Sequence, residues 1–590
     1  MAHLSSFLPV WLWPTPDWQW LSLREALVRE QSDELQLRVR MADVAALWGC
    51  SPKTARRTLQ RWQAQGRCRY EAGQGRGQWS RLTFAELAEP QVRALAAALA
   101  GAGRLDEWSR LNTLGFPAPW TRPPEVQRLF GLHHGEEGQD RLRLLVTRPL
   151  TSLNPLNSWV TLESWLLHQV FDGLTAQSPE SGPPRPALAH HWAADAVGLT
   201  WHFYLRKGVR FHHGERLTAE HVIRTLERVQ AHAAWSLPSL REALALDDYT
   251  VQLRLAAPDP LLPRRMAQTP LLIQPHEPVS APPAGGLPEL SGTGAFRCQA
   301  FTGGLRLQAF DDHWAGRPLL DEAEFYFAPP SARGGRMELR GADPAAAQPH
   351  LAVEKGVQFL IWNSRRPAAH ELALRQAVAE LHDIRAFWSE MGWPAQPLAS
   401  SFYPEFSAQR PAPVRSLQRA RAWLERVPRP LPPLTLYALP FPDAWAEAQW
   451  LVARAQSLGL EIQVRRLRLE DDCELESQAD LVLMGEVGGA DTGLSFWTAL
   501  HSPKLLFRRL LPPGLLREVE HILGGVGQPE ADEPALIAAA ERALQVSGWV
   551  NLTHHRVKEV SLSAGLSGVA PDLYGRVGLR GLWVNRWPVK

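Results

Sequence analysis

A row of long polar side chains between residues 53 and 61 is the part of this sequence best suited to contact a polyanion. The spacing of three, four and seven residues places them on one side of a helix. Arginine and lysine donate hydrogen bonds to phosphate oxygens and guanine edges, and glutamine forms paired hydrogen bonds with adenine. We predict that this row binds DNA through Lys53, Thr54, Arg56, Arg57, Gln60 and Arg61.

The sequence places this row on the second of two short helices. Apolar residues recur on one side of the segment 41–48, which predicts the first helix, and Gly49 ends it. Ser51 supplies an N-cap and Pro52 a first-turn proline, so a second helix is expected to run to about Gln65. Such a short connection is typical of a helix-turn-helix.

The second helix is followed by a predicted β-hairpin. Its apolar row, Ala55, Leu59 and Trp62, should pack inward. Residues 67–71 and 79–83 read as two strands around a glycine-rich loop, which is the pattern of a wing. We predict that the wing adds Arg76 and Gln78 to the DNA contacts.

The charge distribution supports a DNA-binding head. Residues 36–83 contain ten basic and two acidic residues, a net charge of +8, whereas the whole chain carries +2. A basic module on a mildly acidic remainder is the electrostatic pattern of a nucleic-acid-binding domain. Two alternatives stay open: the chain is rich in arginine throughout, and a winged helix can also bind another protein.

Length and composition indicate a multidomain globular protein. At 590 residues the chain is too long for one core. Its four cysteines are too sparse for a disulfide framework or a CxxC zinc site, which favours a reducing compartment. The first residues lack a basic region and a cleavage site, and no apolar run approaches the ~20 residues of a membrane span. We therefore expect a cytoplasmic protein without membrane contact.

One long segment and several shorter ones carry a resemblance to a known family. The segment 198–222, from Gly198 to Val222, reads GLTWHFYLRKGVRFHHGERLTAEHV. The segments 292–297, 312–322, 359–364 and 374–378 follow it in order. Together they resemble the solute-binding receptors of ABC transporters for oligopeptides and nickel. The resemblance implies a bilobal α/β body whose lobes are joined by crossing strands, one of them at 359–364.

The combination of head and body resembles the SgrR family of transcription regulators. The local matches are Ala45–Ser51, the wing from Gly75 to Phe84, and Arg148–Pro155. This resemblance implies an α/β multidomain fold, with an N-terminal winged helix-turn-helix followed by a periplasmic-binding-protein-like body of type 2. It also implies regulation of genes for metabolite stress or transport.

The resemblance and the proline-rich stretch after residue 115 together suggest domain limits. We expect a winged-helix domain with its following helix at 20–115, a linker at 116–140 and the solute-binding body at 141–590. Within the body, the first lobe should comprise about 141–356 and 552–590, and the second lobe about 357–551.

The ligand is expected in the cleft between the two lobes. By similarity to the receptors, the candidate residues belong to the loop after the first body strand, to the crossing strand and to the segment 485–491. They are Thr151, Ser152, Asn154, Trp362, Asn363, Glu486 and Asp491. The segment 485–491 departs from the aromatic and asparagine-rich pattern of peptide receptors, which argues against a peptide ligand.

Catalysis finds no support in the sequence. No lysine follows a glycine as a Walker A loop requires, and no Gly-x-Ser-x-Gly elbow occurs. Adjacent histidines on a strand point to opposite faces, so the pairs at 133, 190, 212 and 554 are poor chelates. We expect no enzyme activity, no cofactor and no metal, with a nickel-type ligand as the alternative worth testing.

The function that these patterns favour is a ligand-responsive transcription regulator. Its expected partners are double-stranded promoter DNA, a small-molecule ligand and, as a further candidate, RNA polymerase. The alternatives are a transport receptor for peptides or other small solutes and a scaffold whose winged helix contacts proteins.

Overall fold

The structure is a computed structural model of the whole chain. It describes residues 16–73, 79–122, 130–134, 138–146, 150–158, 160–178, 182–276, 290–301, 304–327, 348–439, 441–467, 474–489, 491–528, 530–562, 566–569 and 577–585. The statements below concern these residues.

The N-terminal domain is a winged helix, as predicted. Its helices are α1 (Trp18–Gln31), α2 (Met41–Leu47), α3 (Pro52–Ala64), α4 (Ala88–Gly101), α5 (Leu105–Thr113) and the short α6 (Ala118–Thr121). Its strands are β1 (Gln36–Val39), β2 (Cys68–Glu71) and β3 (Ser80–Phe84). They form an antiparallel sheet with β3 in the centre, so β2 and β3 are the two strands of the wing.

Local sequence sets the ends of α3. The Ser51 hydroxyl accepts a hydrogen bond from the backbone N–H of Thr54 at 3.2 Å, and Pro52 occupies the first turn. Gly66 has a φ of +70°, a conformation that glycine adopts without strain. Its N–H and that of Arg67 bond back to the carbonyls of Gln63 and Trp62, which closes the helix.

Trp62 lies at the centre of the head's core. Its ring meets Trp20 of α1 edge-on at 5.1 Å and Trp48 at 5.3 Å between centroids. The predicted inward row of α3 is confirmed, because Ala55, Leu59 and Trp62 are all fully buried.

Asp17 ties three segments of the head together. Its carboxylate accepts hydrogen bonds from the Trp62 indole at 3.2 Å and from the Arg67 guanidinium at 2.7 Å, and it also caps α1 at the Trp20 N–H. Helix α1 and the short strand β1 were not among the predicted elements. They complete the core around Trp62 and the sheet beside β3.

The first lobe of the body contains two larger sheets and one short two-stranded sheet. One of the larger sheets has the strand order β12-β13-β14-β5-β4 and the other β10-β11-β9-β8. The strands are β4 (Gly131–His134), β5 (Asp140–Val146), β6 (Thr175–Ala176), β7 (Arg185–Pro186), β8 (Ala189–Ala194), β9 (Thr200–Leu205), β10 (Leu240–Asp247), β11 (Thr250–Leu255), β12 (Phe296–Phe301), β13 (Gly304–Ala309) and β14 (Glu322–Phe327). The helices are α7 (Thr161–Val170), α8 (Ala219–His232) and α9 (Leu262–Arg265), with 3-10 turns at Pro155–Asn157, Ala234–Ser236 and Thr269–Leu271.

The second lobe is built on a sheet of order β18-β17-β19-β16-β20. Strand β16 (Gly356–Trp362) is buried along its whole length. The other strands are β17 (Leu434–Ala438), β18 (Ile462–Arg466), β19 (Leu481–Val487) and β20 (Val550–His554). The helices are α10 (Leu372–Leu381), α11 (Ile384–Met391), α12 (Pro404–Ser407), α13 (Leu417–Leu424), α14 (Pro442–Gln456), α15 (Glu474–Gln478), α16 (Thr492–His501), α17 (Leu506–Leu510), α18 (Pro513–Leu523) and α19 (Glu533–Val546), with a 3-10 turn at Pro367–His370.

A two-stranded ribbon joins the lobes. Strand β15 (Gln348–Val353) pairs antiparallel with β21 (Val557–Leu562). Beyond it, β22 (Leu566–Ser567) pairs with β23 (Trp583–Val584), after the 3-10 turn Leu579–Gly581. The expectation that the strand at 359–364 crosses between lobes is therefore wrong, because β16 lies inside the second sheet and the crossing falls on β15 and β21.

The head packs against the first lobe. The ring of Trp108 in α5 contacts Phe130 at 5.3 Å, and Phe130 contacts Tyr326 of β14 at 5.8 Å between centroids. The Ser109 hydroxyl donates to the Phe327 carbonyl at 3.3 Å. Part of the segment expected as a linker thus belongs to the body, since β4 pairs with β5 and Phe130 fills the joint.

We predict that Trp62→Ala destabilises the head by about 3–5 kcal/mol, because it leaves a large cavity where three aromatic rings meet. Hydrogen exchange of the α3 amides in the full-length chain should accelerate accordingly. The exposed Trp79 is the matched control, and Trp79→Ala should leave the protection of α3 close to wild type. Equal protection in both variants would contradict this account of the core.

Candidate functional site

The predicted DNA-binding row is exposed on α3. Lys53, Thr54, Arg56, Arg57, Gln60 and Arg61 all face solvent, on the side opposite Trp62. Within the described part of the chain, none of the four cations in this row pairs with a carboxylate. Their positive charge is therefore available to an external anion.

Most other arginines of the head differ in this respect, although Arg38 and Arg40 also form no ion pair among the described residues, and Arg40 lies over the ring of Trp79. Ion pairs with nearby carboxylates occupy Arg24, Arg29, Arg67, Arg69, Arg81, Arg93 and Arg104. The unpaired cations of the helix pair and hairpin are thus concentrated on α3, and the richness of the whole chain in arginine does not account for that arrangement.

Two details qualify the row. The Thr54 hydroxyl lies 2.9 Å from the Ser51 hydroxyl, so it takes part in the helix cap as well as facing solvent. Arg76 and Gln78, predicted for the wing, lie outside the described residues.

Arg264 forms the main polar contact between the two lobes. It lies at the end of the first-lobe helix α9, and its guanidinium donates to the Asp491 carboxylate through Nε at 2.6 Å and through Nη2. The same group donates to Glu533 at 2.6 Å. Asp491 caps α16 through the Leu494 N–H, and Glu533 begins α19, so one arginine holds the N-termini of two second-lobe helices.

We call the ion-pair group of Arg264, Asp491 and Glu533 the interlobe latch. Neighbouring contacts reinforce it. The guanidinium of Arg265 lies 3.7 Å from the ring centroid of Trp497. The Gln268 amide donates to the Thr498 hydroxyl at 2.7 Å, and Leu261 packs in the hydrophobic core of the second lobe. The lobes are therefore in direct contact beside the segment 485–491.

Of the two residues of this segment predicted to bind ligand, Asp491 is part of the contact itself and Glu486 lies near the end of β19. Asp491 is engaged by Arg264, whereas the half-buried Glu486 has no ion pair within the described residues. Burial raises the pKa of the Glu486 carboxyl to about 8. An acid kept neutral near pH 7 can donate a hydrogen bond to a ligand, or it can ionise when a cation binds.

Thr151, Ser152 and Asn154 cluster in the loop before α7. Thr151 donates to the buried Glu163 through its N–H at 2.8 Å and its hydroxyl at 3.2 Å. The Asn154 side chain caps the 3-10 turn that follows, and the Ser152 hydroxyl accepts from the Asn154 N–H. Their local hydrogen bonds shape this loop, and Thr151 and Asn154 remain exposed.

Trp362 and Asn363 lie in the core at the end of β16. The Asn363 amide donates to the carbonyls of Glu476 and Ala479 at 2.9 and 2.8 Å, and its oxygen accepts the Arg365 N–H. Both residues are buried. The polar groups of Asn363 are therefore already satisfied within the second lobe.

Sequence reasoning missed Arg264, Glu533 and Trp497. Arg264 lies in the first lobe, more than 200 residues before Trp497 and Glu533 of the second lobe, and no local motif marks any of the three. The one available signal was the doubled arginine after Pro263, which is weak in an arginine-rich chain.

The comparison with protein families identifies the body. Residues 183–504 match the sequence model described as bacterial extracellular solute-binding proteins, family 5 middle. This chain belongs to family 5 of the bacterial extracellular solute-binding proteins. In addition, residues 23–114 match the model described as the N-terminal domain of the sugar transport-related sRNA regulator, so this family 5 chain carries the head of the SgrR type.

Curated relatives are named as transcription regulators of the helix-turn-helix type. The chain is similar to the HTH-type transcriptional regulator SgrR of Escherichia coli strain K12, with 31% identity over 329 residues, 55% of this chain and 57% of that protein. The protein of the same name from Shigella boydii matches to the same extent. The match thus spans a little more than half the length of these relatives.

Solved structures confirm the family 5 fold. The dipeptide-binding protein from Pseudoalteromonas in complex with Met-Leu is 17% identical, with a TM-score of 0.62 over 75% of this chain and 100% of that one. The periplasmic binding protein DppA from Helicobacter pylori is 16% identical, with a TM-score of 0.63 over 76% and 98%. At these identities the likeness establishes the bilobal fold of the body alone.

Among the residues that the structure describes, no helix has the length and apolarity that a bilayer crossing requires.

We predict that Glu486→Gln stabilises the family 5 body at alkaline pH. Because the pKa of Glu486 is raised, its favourable contribution to folding is complete below the ordinary pKa of a glutamate and is lost as the pH rises to about 8. The variant should gain on the order of 1–3 kcal/mol over wild type at pH 8.5 and almost nothing at pH 4. Urea unfolding at both pH values measures this difference.

The control for this prediction is Glu425→Gln, which changes an exposed carboxyl of the same lobe. Its effect should not grow between the two pH values. A Glu486→Gln variant with the same difference from wild type at both pH values would show that the buried carboxyl does not titrate as described.

Proposed function

We propose that this protein is a ligand-responsive transcription regulator. The head binds double-stranded promoter DNA through the exposed row of α3, and the body binds a small solute between its lobes. The observation that carries the proposal is the set of unpaired cations on a capped helix of a winged helix-turn-helix, joined to a family 5 body. The names of the SgrR relatives support the same conclusion.

Recognition of DNA would combine two kinds of contact. Lys53 and the arginines of α3 suit phosphate oxygens, where charge fixes the position of the head. An arginine that reaches into the major groove can also donate two hydrogen bonds to guanine, and Gln60 can pair with adenine. Arg76 and Gln78 of the wing remain candidates for the flanking backbone.

Ligand control of DNA binding would act through the first lobe, which contacts both the second lobe and the head. Glu486 offers a polar group to a solute, and Asp491 responds to a solute through the interlobe contact with Arg264 that it forms. A ligand that prefers one arrangement of the lobes shifts the population toward it. The first lobe carries both the latch residue Arg264 and the strand β14 on which the head packs. A change in the arrangement of the lobes can therefore reach the head through the first lobe.

The expected size of this control is moderate. Allosteric couplings of about 1–3 kcal/mol correspond to changes of roughly 5- to 150-fold in DNA affinity. We place the regulator in the cytoplasm, where promoter DNA is accessible, and RNA polymerase is a candidate partner of the DNA-bound form. An enzymatic role is not part of the proposal.

We predict that the double change Arg56→Ala and Arg57→Ala lowers affinity for the region upstream of the protein's own gene at least about 100-fold. The reason is that two unpaired cations leave the centre of the α3 row. The slope of log K against log salt should also become less negative by about two. Fluorescence anisotropy with labelled duplexes, specific and random, measures both quantities.

The matched control removes the same charge elsewhere on the head. Arg29 and Arg93 are exposed but paired with Glu25 and Glu89, so the double change Arg29→Ala and Arg93→Ala should leave the affinity within a few-fold of wild type. Equal losses in the two double variants would mean that net charge, and not the α3 row, governs binding. Unchanged binding in the Arg56 and Arg57 variant would remove α3 as the recognition helix.

We predict that Arg264→Ala opens the body. The change leaves Asp491 and Glu533 without their shared cation, and removing one partner of a largely buried ion pair costs about 3–5 kcal/mol. Small-angle X-ray scattering of the unliganded protein should therefore report a larger radius of gyration.

Arg254→Ala is the control for the latch, because it removes an exposed ion pair with Glu242 within the first lobe. Its scattering should superimpose on that of wild type. If Arg264→Ala also gave the wild-type curve, the latch would not hold the lobes together. DNA affinity of the two variants, measured in parallel, then reports whether opening reaches the head.

A further inference from the structure

Two histidines and a glutamate meet on the first lobe, away from the contacts described above. One ligand-type atom each of Glu215, His221 and His276 lies within 4.8 Å of the others. They come from the loop before α8, from the first turn of α8 and from the segment after the 3-10 turn Thr269–Leu271. Neither DNA binding nor the interlobe latch uses them.

The fold brings His276 to α8 through specific hydrogen bonds. The Arg228 guanidinium donates to the Pro275 carbonyl at 2.9 Å, and the Gln274 N–H donates to the Thr225 hydroxyl at 3.1 Å. Both partners belong to the helix that carries His221. The rings of His221 and His276 consequently lie with centroids 3.8 Å apart.

His221 is the buried member of the group, with only 2% of its surface exposed. Its Nε2 lies 3.2 Å from Oε1 of Glu215, yet this nitrogen has no hydrogen-bond partner of acceptable geometry among the described residues. A buried polar nitrogen without a hydrogen bond is costly. Here it is directed toward a carboxylate and a second imidazole.

Glu215 is held in place by a further histidine. Its other oxygen, Oε2, lies 3.0 Å from Nε2 of His213, whose Nδ1 lies 2.7 Å from the Ser291 hydroxyl. The ring of the fully buried Phe211 packs against His213 and His221, with centroids at 5.6 and 4.8 Å. An orienting partner on a ligand and an apolar backing are the features that surround metal ligands in proteins.

We propose that Glu215, His221 and His276 form a binding site for a divalent transition-metal ion, with Zn²⁺ as the best fit. Two imidazole nitrogens and one carboxylate oxygen are a donor set that Zn²⁺ accepts, whereas Mg²⁺ and Ca²⁺ prefer oxygen alone. Three protein ligands leave a coordination position for water or an outside ligand. The ion would tie α8 to the segment 272–276.

Coordination defines the proton positions. A neutral His221 that binds the metal through Nε2 carries its proton on Nδ1, and the Thr218 hydroxyl lies 3.0 Å away to accept it. In the absence of metal, Nδ1 accepts the Thr218 N–H at 3.2 Å, which places the proton on Nε2. Metal binding therefore exchanges one hydrogen bond to Thr218 for another.

The protonation states agree with this site. Burial, together with the nearby His276, lowers the pKa of His221, which favours the neutral imidazole that a metal requires. The hydrogen bond with His213 lowers the pKa of Glu215 and favours the carboxylate.

The sequence could not reveal this site by spacing. The expectation of no metal rests on adjacent histidine pairs, which are poor chelates. The group assembled here takes single histidines from segments 55 residues apart, together with a glutamate that no motif marks.

The test is calorimetric titration of Zn²⁺ into the full-length, chelator-treated protein. We expect about one ion per chain. His276→Ala and Glu215→Gln should each weaken binding at least about tenfold. Because both side chains are exposed, these variants should fold as wild type does, which the unfolding temperature without metal verifies. His232→Ala, an exposed histidine on the same helix, should bind as wild type.

Substitution with Co²⁺ gives an independent readout. The visible spectrum should indicate nitrogen and oxygen ligands without thiolate charge transfer, and it should change in the His276→Ala variant. The proposal is overturned if wild type binds no Zn²⁺, if binding survives both changes undiminished, or if the Co²⁺ spectrum indicates cysteine. A cluster held only by hydrogen bonds between the carboxylate and the imidazoles would give the first of these results.

Discussion

The burial of Trp62 is the constraint on which the head depends. Its ring lies between two other tryptophans, and its indole donates to Asp17. A helix repeats every 3.6 residues, so fixing the side that carries Trp62, Leu59 and Ala55 also fixes the opposite side. The cations of α3 are exposed for this reason. The hydrophobic core of the head and its proposed contact with DNA are two consequences of one packing arrangement.

Specific packing contacts also join the head to the body and the two lobes of the body to each other. Aromatic contacts from Trp108 through Phe130 to Tyr326 join α5 to the first-lobe sheet, and Arg264 joins the first lobe to two helices of the second. Packed elements of this kind move as units, because interiors are close-packed and do not deform continuously. A change in the relation of the lobes therefore has a physical route to the head.

Local chemistry made the head predictable from sequence. Ser51 and Pro52 determine where α3 begins, the apolar row determines which side faces inward, and the wing follows the pattern of two strands around a glycine-rich loop. Each signal acts within a few residues. Helix α1 and strand β1 were missed, because their roles depend on Trp62 and β3, which lie far along the chain.

The candidate ligand site was predictable only in part. Asp491 and Glu486 were selected by similarity; Asp491 forms part of the interlobe contact, and Glu486 lies five residues before it, near the end of β19. The sequence did not indicate that Arg264 forms an ion pair with Asp491. It also did not indicate that the Asn363 amide donates its hydrogen bonds to backbone carbonyls of the second lobe. Such pairings join residues more than 100 positions apart, and pattern or propensity carries no information about them.

The salt dependence of DNA binding by the unmodified full-length protein tests the central claim most directly. Four unpaired cations on α3 predict a slope of log K against log salt of about −3 to −4, with tighter binding to the region upstream of the protein's own gene than to a random duplex. A protein that binds neither duplex, or whose affinity is independent of salt, would contradict the assignment of α3 as a DNA-binding helix.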